Sequence, residues 1–120
     1  VSVRILIIDP SPEVGQQMLI RLQLAGYEVA VEQEVEVVIE AAERFEPDLL
    51  FIDADLGPIN GYQLCQLIKR HLPSARVVVT SWDRSAQARF WAESSDADGF
   101  LAKPYTPNQL VDIAKIVEKD

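Results

Sequence analysis

Three short stretches are apolar through consecutive positions and end on a polar residue: "VRILIID" (3–9), "DLLFID" (48–53) and "RVVVT" (76–80). A strand with one wet face alternates, whereas a strand covered on both faces does not, so these read as buried strands of a parallel sheet. "YEVAV" (27–31) and "DGFLAK" (98–103) are weaker strand candidates. Between them, apolar residues recur at helical spacing. Val14, Met18, Leu22 and Ala25 form one stripe expected to be buried, started by Ser11-Pro12 and stopped near Gly26. Val35, Val38, Ile39, Ala42 and Phe45 form a second, ended by Pro47. Leu64, Leu67, Ile68 and Leu72 form a third, before Pro73. A fourth helix is expected from Arg84 to Ser94, carrying Phe90 and Trp91. Thr106-Pro107-Asn108-Gln109 is a capping-box pattern and opens a fifth, which buries Leu110, Ile113, Ala114 and Val117.

Five β-α units follow one another without a linker or low-complexity segment. That alternation predicts an α/β fold, a five-stranded doubly wound parallel sheet with right-handed crossovers. The 120 residues are expected to form a single domain, 1–120. At 48% apolar and 25% charged residues the composition is that of an ordinary globular chain. No apolar run approaches the roughly 20 residues that span a bilayer, and no secretion signal is legible. The first residue is Val rather than Met, as in a piece of a longer protein. One cysteine, Cys65, excludes an internal disulfide and suits a reducing compartment, the cytoplasm. A net charge of −8 argues against nucleic acid as a partner of this domain. Seven of the acids lie between Glu28 and Glu46, opposed only by Arg44, and read first as a solvated helix face, with a docking surface for a basic partner as the alternative.

In an open parallel sheet the ligand crevice lies beyond the carboxyl ends of the strands. The residues expected there are Asp9, Asp53, Thr80 with Ser81, and Lys103. Taken singly, a strand-end aspartate is more often a turn residue than a chemical one. Four such residues, on separate strands, suit phosphoryl transfer to a carboxylate, with a divalent cation and a lysine to offset the incoming charge. Mg²⁺ takes the hard oxygen ligands that carboxylates and a carbonyl provide.

At these residues the chain resembles the response-regulator receiver domain of two-component signalling, typified by the bacterial chemotaxis regulator. "LLFIDADLGPINGYQL" resembles the phosphoacceptor block, "VVVTSW" the switch-threonine strand, and "ADGFLAKPY" the aromatic, lysine and proline block. The resemblance covers nearly the whole chain. It implies a flavodoxin-like (βα)5 sheet of order 2-1-3-4-5. It further implies that Asp53 accepts a phosphoryl group from a histidine kinase, a phosphotransfer protein or a small phosphodonor. Asp9, Asp53 and the backbone carbonyl of Asp55 would hold Mg²⁺. Lys103 would neutralise the phosphoryl group, and Thr80 would move toward it. Phe100 would turn inward and repack the face of the fourth helix, fifth strand and fifth helix. That face would signal to an output domain or effector, or form a homodimer. Such a domain is a signalling module rather than an enzyme. Asp55 and Trp82, two residues past Asp53 and Thr80, are expected to modulate the site, Trp82 by limiting water access. Lys103-Pro104 is similar to the family's cis peptide.

The chain departs from the family at three places. Pro10 stands where a second acid is usual, so Mg²⁺ is expected to bind weakly. Glu13, in the first helical turn, is a candidate to substitute for that acid through a water. Gly57-Pro58 exchanges the usual order, and Asp96 stands where a helix-ending glycine is common. Pro10 also motivates the main rival reading, a pseudo-receiver that binds partners without using phosphorylation. A haloacid-dehalogenase-like phosphatase shares the "DAD" pattern but needs a downstream acid pair that is absent here. A flavodoxin-like FMN carrier needs a Ser/Thr/Gly-rich loop that "DPSPEVGQQ" does not offer.

The remaining conspicuous residues have blander readings. Cys65 is a small packing residue, and His71 suits the C-terminus of its helix. Trp82, Phe100 and Tyr105 are expected to cap the core or to group on the output face. Lys103, at a strand end near water, is expected to matter little to stability.

Overall fold

The computed structural model describes residues 2–118. Its strands are β1 (Arg4–Ile8), β2 (Glu28–Glu32), β3 (Leu49–Asp53), β4 (Arg76–Ser81) and β5 (Gly99–Ala102). They alternate with helices α1 (Pro12–Leu24), α2 (Val38–Phe45), α3 (Gly61–His71), α4 (Ala86–Ser94) and α5 (Pro107–Ala114). The strands pair in parallel, in the order β2-β1-β3-β4-β5. All five residues of β3 are buried, because it lies at the centre of the sheet with helices on both faces.

Alternate strand residues feed two cores. Ile5, Ile7, Leu49, Phe51 and Val78 point to one face, where Met18 and Leu22 of α1 and Leu110 and Ala114 of α5 cover them. Leu6, Ile8, Leu50, Ile52, Val77 and Val79 point to the other, under α2, α3 and α4. The side-chain period of two thus sorts each apolar run between two helix layers.

Helix starts follow the sequence closely. Ser11, Asn60, Ser85 and Thr106 each accept a backbone N–H from the first turn they cap. Four details differ from the pattern. The fifth helix ends at Ala114, so Val117 lies half-buried in a following 3₁₀ turn, Lys115–Glu118. Ala25 is exposed, since the helix has ended and Ala25 is its C-cap; Gly15 is buried instead, where a Cβ would press on Val31. Val35 lies in a short 3₁₀ turn, Val35–Val37, ahead of α2. The fourth helix starts at Ala86 and buries only Ala88 and Ala92, leaving Phe90 and Trp91 exposed. Small residues on the inner face let α4 approach the sheet, and its aromatics have nowhere to go but out.

Candidate functional site

The carboxyl ends of β1, β3, β4 and β5 converge on one charged cluster. Asp9 follows β1 directly, and its Oδ1 accepts the N–H of Ser11, the residue that caps α1. That bond ties the carboxylate to the loop. Its other oxygen, Oδ2, lies 3.2 Å from Lys103 Nζ. Asp53 ends β3, and its Oδ1 lies 3.5 Å from the same ammonium. Asp9 is 2% exposed, Asp53 9% and Lys103 4%, so the three charges meet out of water. Burial and the Asp9 charge push the Asp53 carboxyl above its ordinary range, against the pull of Lys103; burial is the largest cause.

Two neighbours shape the surroundings of Asp53. Thr80 is buried and pairs with Asp53 across the β3–β4 register, its carbonyl accepting the Ala54 N–H at 2.8 Å. Gly61 opens α3 so close to β3 that a Cβ would overlap the Asp53 carbonyl. Only a residue without a side chain permits that approach. Asp55 is exposed, with Oδ1 accepting the Gly57 N–H at 3.3 Å.

Lys103 is far from solvent, contrary to what a strand end suggests. Its N–H donates to the Ser81 carbonyl at 2.7 Å, and its ammonium faces both aspartates. The expectation that it sits near water is therefore overturned, and its removal would leave two buried carboxylates without a cation. The Lys103-Pro104 bond is cis.

The three aromatics do not share a face. Trp82 is 67% exposed, with Lys103 Nζ 5.9 Å from its ring centroid, so it caps the site rather than the core. Tyr105 packs on the α1–α5 face, and both line a groove of about 580 Å³ that opens beside Lys103. Burial, followed by the charges of Asp9 and Asp53, pushes the Tyr105 phenol up to about 12. Phe100 instead packs on the opposite layer, half-buried, with the Arg89 guanidinium 5.1 Å from its ring centroid. Alternation along β5 separates Phe100 from its neighbours in the sequence. Tyr105 belonging to the acid pair's surroundings was not readable from spacing, because it depends on how α1 closes over the loop after β5.

The residues present suit a hard cation in part. Two buried carboxylates converge, and both offer oxygen, the donor that Mg²⁺ prefers. Pro10, exposed and without a donor, supplies nothing, and among the described residues no three His, Cys, Asp or Glu side chains form a metal-binding group. A cation here would keep waters in its remaining positions. Among the described residues no helix is long and apolar enough to cross a membrane.

The profile of the response regulator receiver domain matches residues 5–115. The DNA-binding response regulator MtrA of Mycolicibacterium smegmatis is 28% identical over 108 residues, 90% of this chain and 47% of that protein. The DNA-binding dual master transcriptional regulator RpaA of Synechocystis is 30% identical over 112 residues, 90% of this chain and 46% of that protein. This chain therefore spans about half the length of the curated relatives it matches. A response regulator receiver domain protein from Methanospirillum hungatei superposes with a TM-score of 0.91 at 21% identity, covering 99% of this chain and 96% of that one, a likeness of fold.

Proposed function

From the premise that this chain belongs to the response regulator receiver domain family, we propose that it works by taking a phosphoryl group on Asp53. The observation that carries the reading is the meeting of Asp9 and Asp53 on one buried ammonium, with Thr80 in register beside Asp53. Receiver domains are signalling modules that generally bind Mg²⁺ in their acidic pocket. Here Asp9 and Asp53 would hold the ion, with the Asp55 carbonyl and water, and it would offset charge on the phosphoryl oxygens.

An Asp53 oxygen attacks phosphorus while the bond from phosphorus to the donor's nitrogen or oxygen breaks. The leaving group keeps the electron pair, and a phosphohistidine imidazole then takes up a proton. Lys103 offsets the charge that arrives, and Thr80 donates its hydroxyl to a phosphoryl oxygen. Lys103 is shared between Asp9 and Asp53 and offsets only one of their two charges, so the incoming group must compete with Asp9 for the ammonium. The change then reaches α4 through Thr80 and Phe100, the half-buried ring under Arg89. A histidine kinase or phosphotransfer protein is the donor proposed here, in the cytoplasm, and the recipient is an output domain or effector, or a second copy of the domain. Borohydride reduction of the phosphorylated chain converts an acyl phosphate to an alcohol. The reading requires homoserine at position 53 and at no other aspartate.

Pro10 supports one second reading, a pseudo-receiver. With no second acid in the loop, Lys103 faces two carboxylates rather than three, and binding without phosphorylation would need no metal. The two readings part on a single substitution, Pro10→Asp, taken up below.

A further inference from the structure

We propose that Arg84 is a positioning residue for Lys103, an inference that rests on the receiver reading above. Arg84 lies in the loop between β4 and α4, one residue before the capping Ser85. Its side chain crosses to the loop after β5, where Nη1 donates to the Lys103 carbonyl at 2.9 Å and to the Pro104 carbonyl at 3.3 Å. On its other side, the Lys103 N–H donates to the Ser81 carbonyl at 2.7 Å. Both backbone polar groups of Lys103 are thus held by the segment that also carries Thr80.

An exposed arginine ordinarily gives its donors to water or to surface acids. Arg84 is exposed, and its neighbour Asp83 is engaged elsewhere, with Oδ1 accepting the Ser85 N–H at 2.9 Å. The Arg84 guanidinium contributes little to the core, but it fixes the base of the long Lys103 side chain. Where that base sits decides whether the ammonium reaches the acceptor. A misplacement of about 1 Å at a reacting group can cost on the order of 100-fold in rate. The clamp also makes the two loops move together, so that a shift of Thr80 toward a phosphoryl group is transmitted to the backbone of Lys103.

The test compares the parent, Arg84→Ala and Arg84→Lys in phosphorylation by acetyl phosphate with Mg²⁺, followed by intact mass. Hydrogen exchange of the Lys103 amide is measured on the unphosphorylated proteins. Arg84→Ala is expected to keep the parent's unfolding midpoint, to be phosphorylated roughly tenfold more slowly, within the span that misplacement of a reacting group allows, and to exchange the Lys103 amide faster. Arg84→Lys, which keeps a charged donor, is expected to recover part of the rate; should the alanine variant prove unstable, the lysine variant carries the comparison. Parent-like rates in Arg84→Ala overturn the proposal. If the parent itself takes no phosphoryl group, the receiver reading fails separately. Faster Lys103 exchange in Arg84→Ala then still supports the positioning role, and unchanged exchange overturns it.

Discussion

Lys103 Nζ lies closer to Asp9 Oδ2, at 3.2 Å, than to Asp53 Oδ1, at 3.5 Å. The lysine proposed to meet the phosphoryl group is therefore also the counter-ion of the aspartate proposed to hold the cation. On the proposed function, a structural task and a signalling task fall on one side chain. Lys103→Ala is expected to cost about 3 kcal/mol, the scale of breaking a buried pair from one side. Denaturant titration checks this, and the loss should shrink in an Asp53→Asn background, where one fewer carboxylate is left unpaired.

Gly61 meets Asp53 through backbone alone. Because a Cβ there would overlap the Asp53 carbonyl, Gly61→Ala must push α3 away from β3. Overpacking of this kind costs about 1–3 kcal/mol. Thermal unfolding reads the loss, and the rate of phosphorylation should fall with it, since the acceptor's own backbone is displaced.

Cys65 is buried, with Sγ 3.2 Å from the Ser95 carbonyl, and burial pushes its thiol up from 9.0 to about 12. Because the folded value lies above the unfolded one, its contribution to stability is fully present below pH 9 and is lost as pH rises toward 12. At about pH 8 the folded chain should resist iodoacetamide, which reacts with the thiolate, and the urea-unfolded chain should label fully. Rapid labelling of the native protein would show that α3 opens locally.

Trp82 stands over Lys103 at the mouth of the crevice. Trp82→Ala is expected to shorten the life of the phosphorylated form by a few fold, because water then reaches Asp53 past a missing ring. Timed intact-mass measurements after removal of the phosphodonor check it. A phosphorylated form as durable as the parent's would leave Trp82 without this role.

How much of this was legible in advance follows from where the information resides. The runs ending at Asp9 and Asp53 declared both the sheet and the crevice, since apolar continuity and a terminal carboxylate are local signals. Ser11 and Thr106 cap their helices through side chains that act within one turn. What escaped was non-local. The burial of Lys103 depends on Asp9, 94 residues away in the chain, and on the loops that enclose it. The separation of Phe100 from Tyr105 depends on which face of β5 carries Phe100 and on how the loop after β5 lays Tyr105 against the other layer. Arg84 carried no motif at all, because its partners are main-chain carbonyls of another loop.

Pro10 remains the position on which the account turns. Loss of supporting contacts at metal sites commonly costs about 10–100-fold in affinity, and a missing ligand at least that. Mg²⁺ binding is therefore expected to be weak, and phosphorylation slow but present. The most direct measurement is intact mass after incubation with acetyl phosphate at rising Mg²⁺, for the parent, Asp53→Asn and Pro10→Asp. The account predicts one added phosphoryl group in the parent at high Mg²⁺, none in Asp53→Asn, and faster addition at lower Mg²⁺ in Pro10→Asp. A parent that gains no mass at any Mg²⁺ concentration, beside a Pro10→Asp variant that is readily phosphorylated, would contradict it and identify the native domain as a pseudo-receiver.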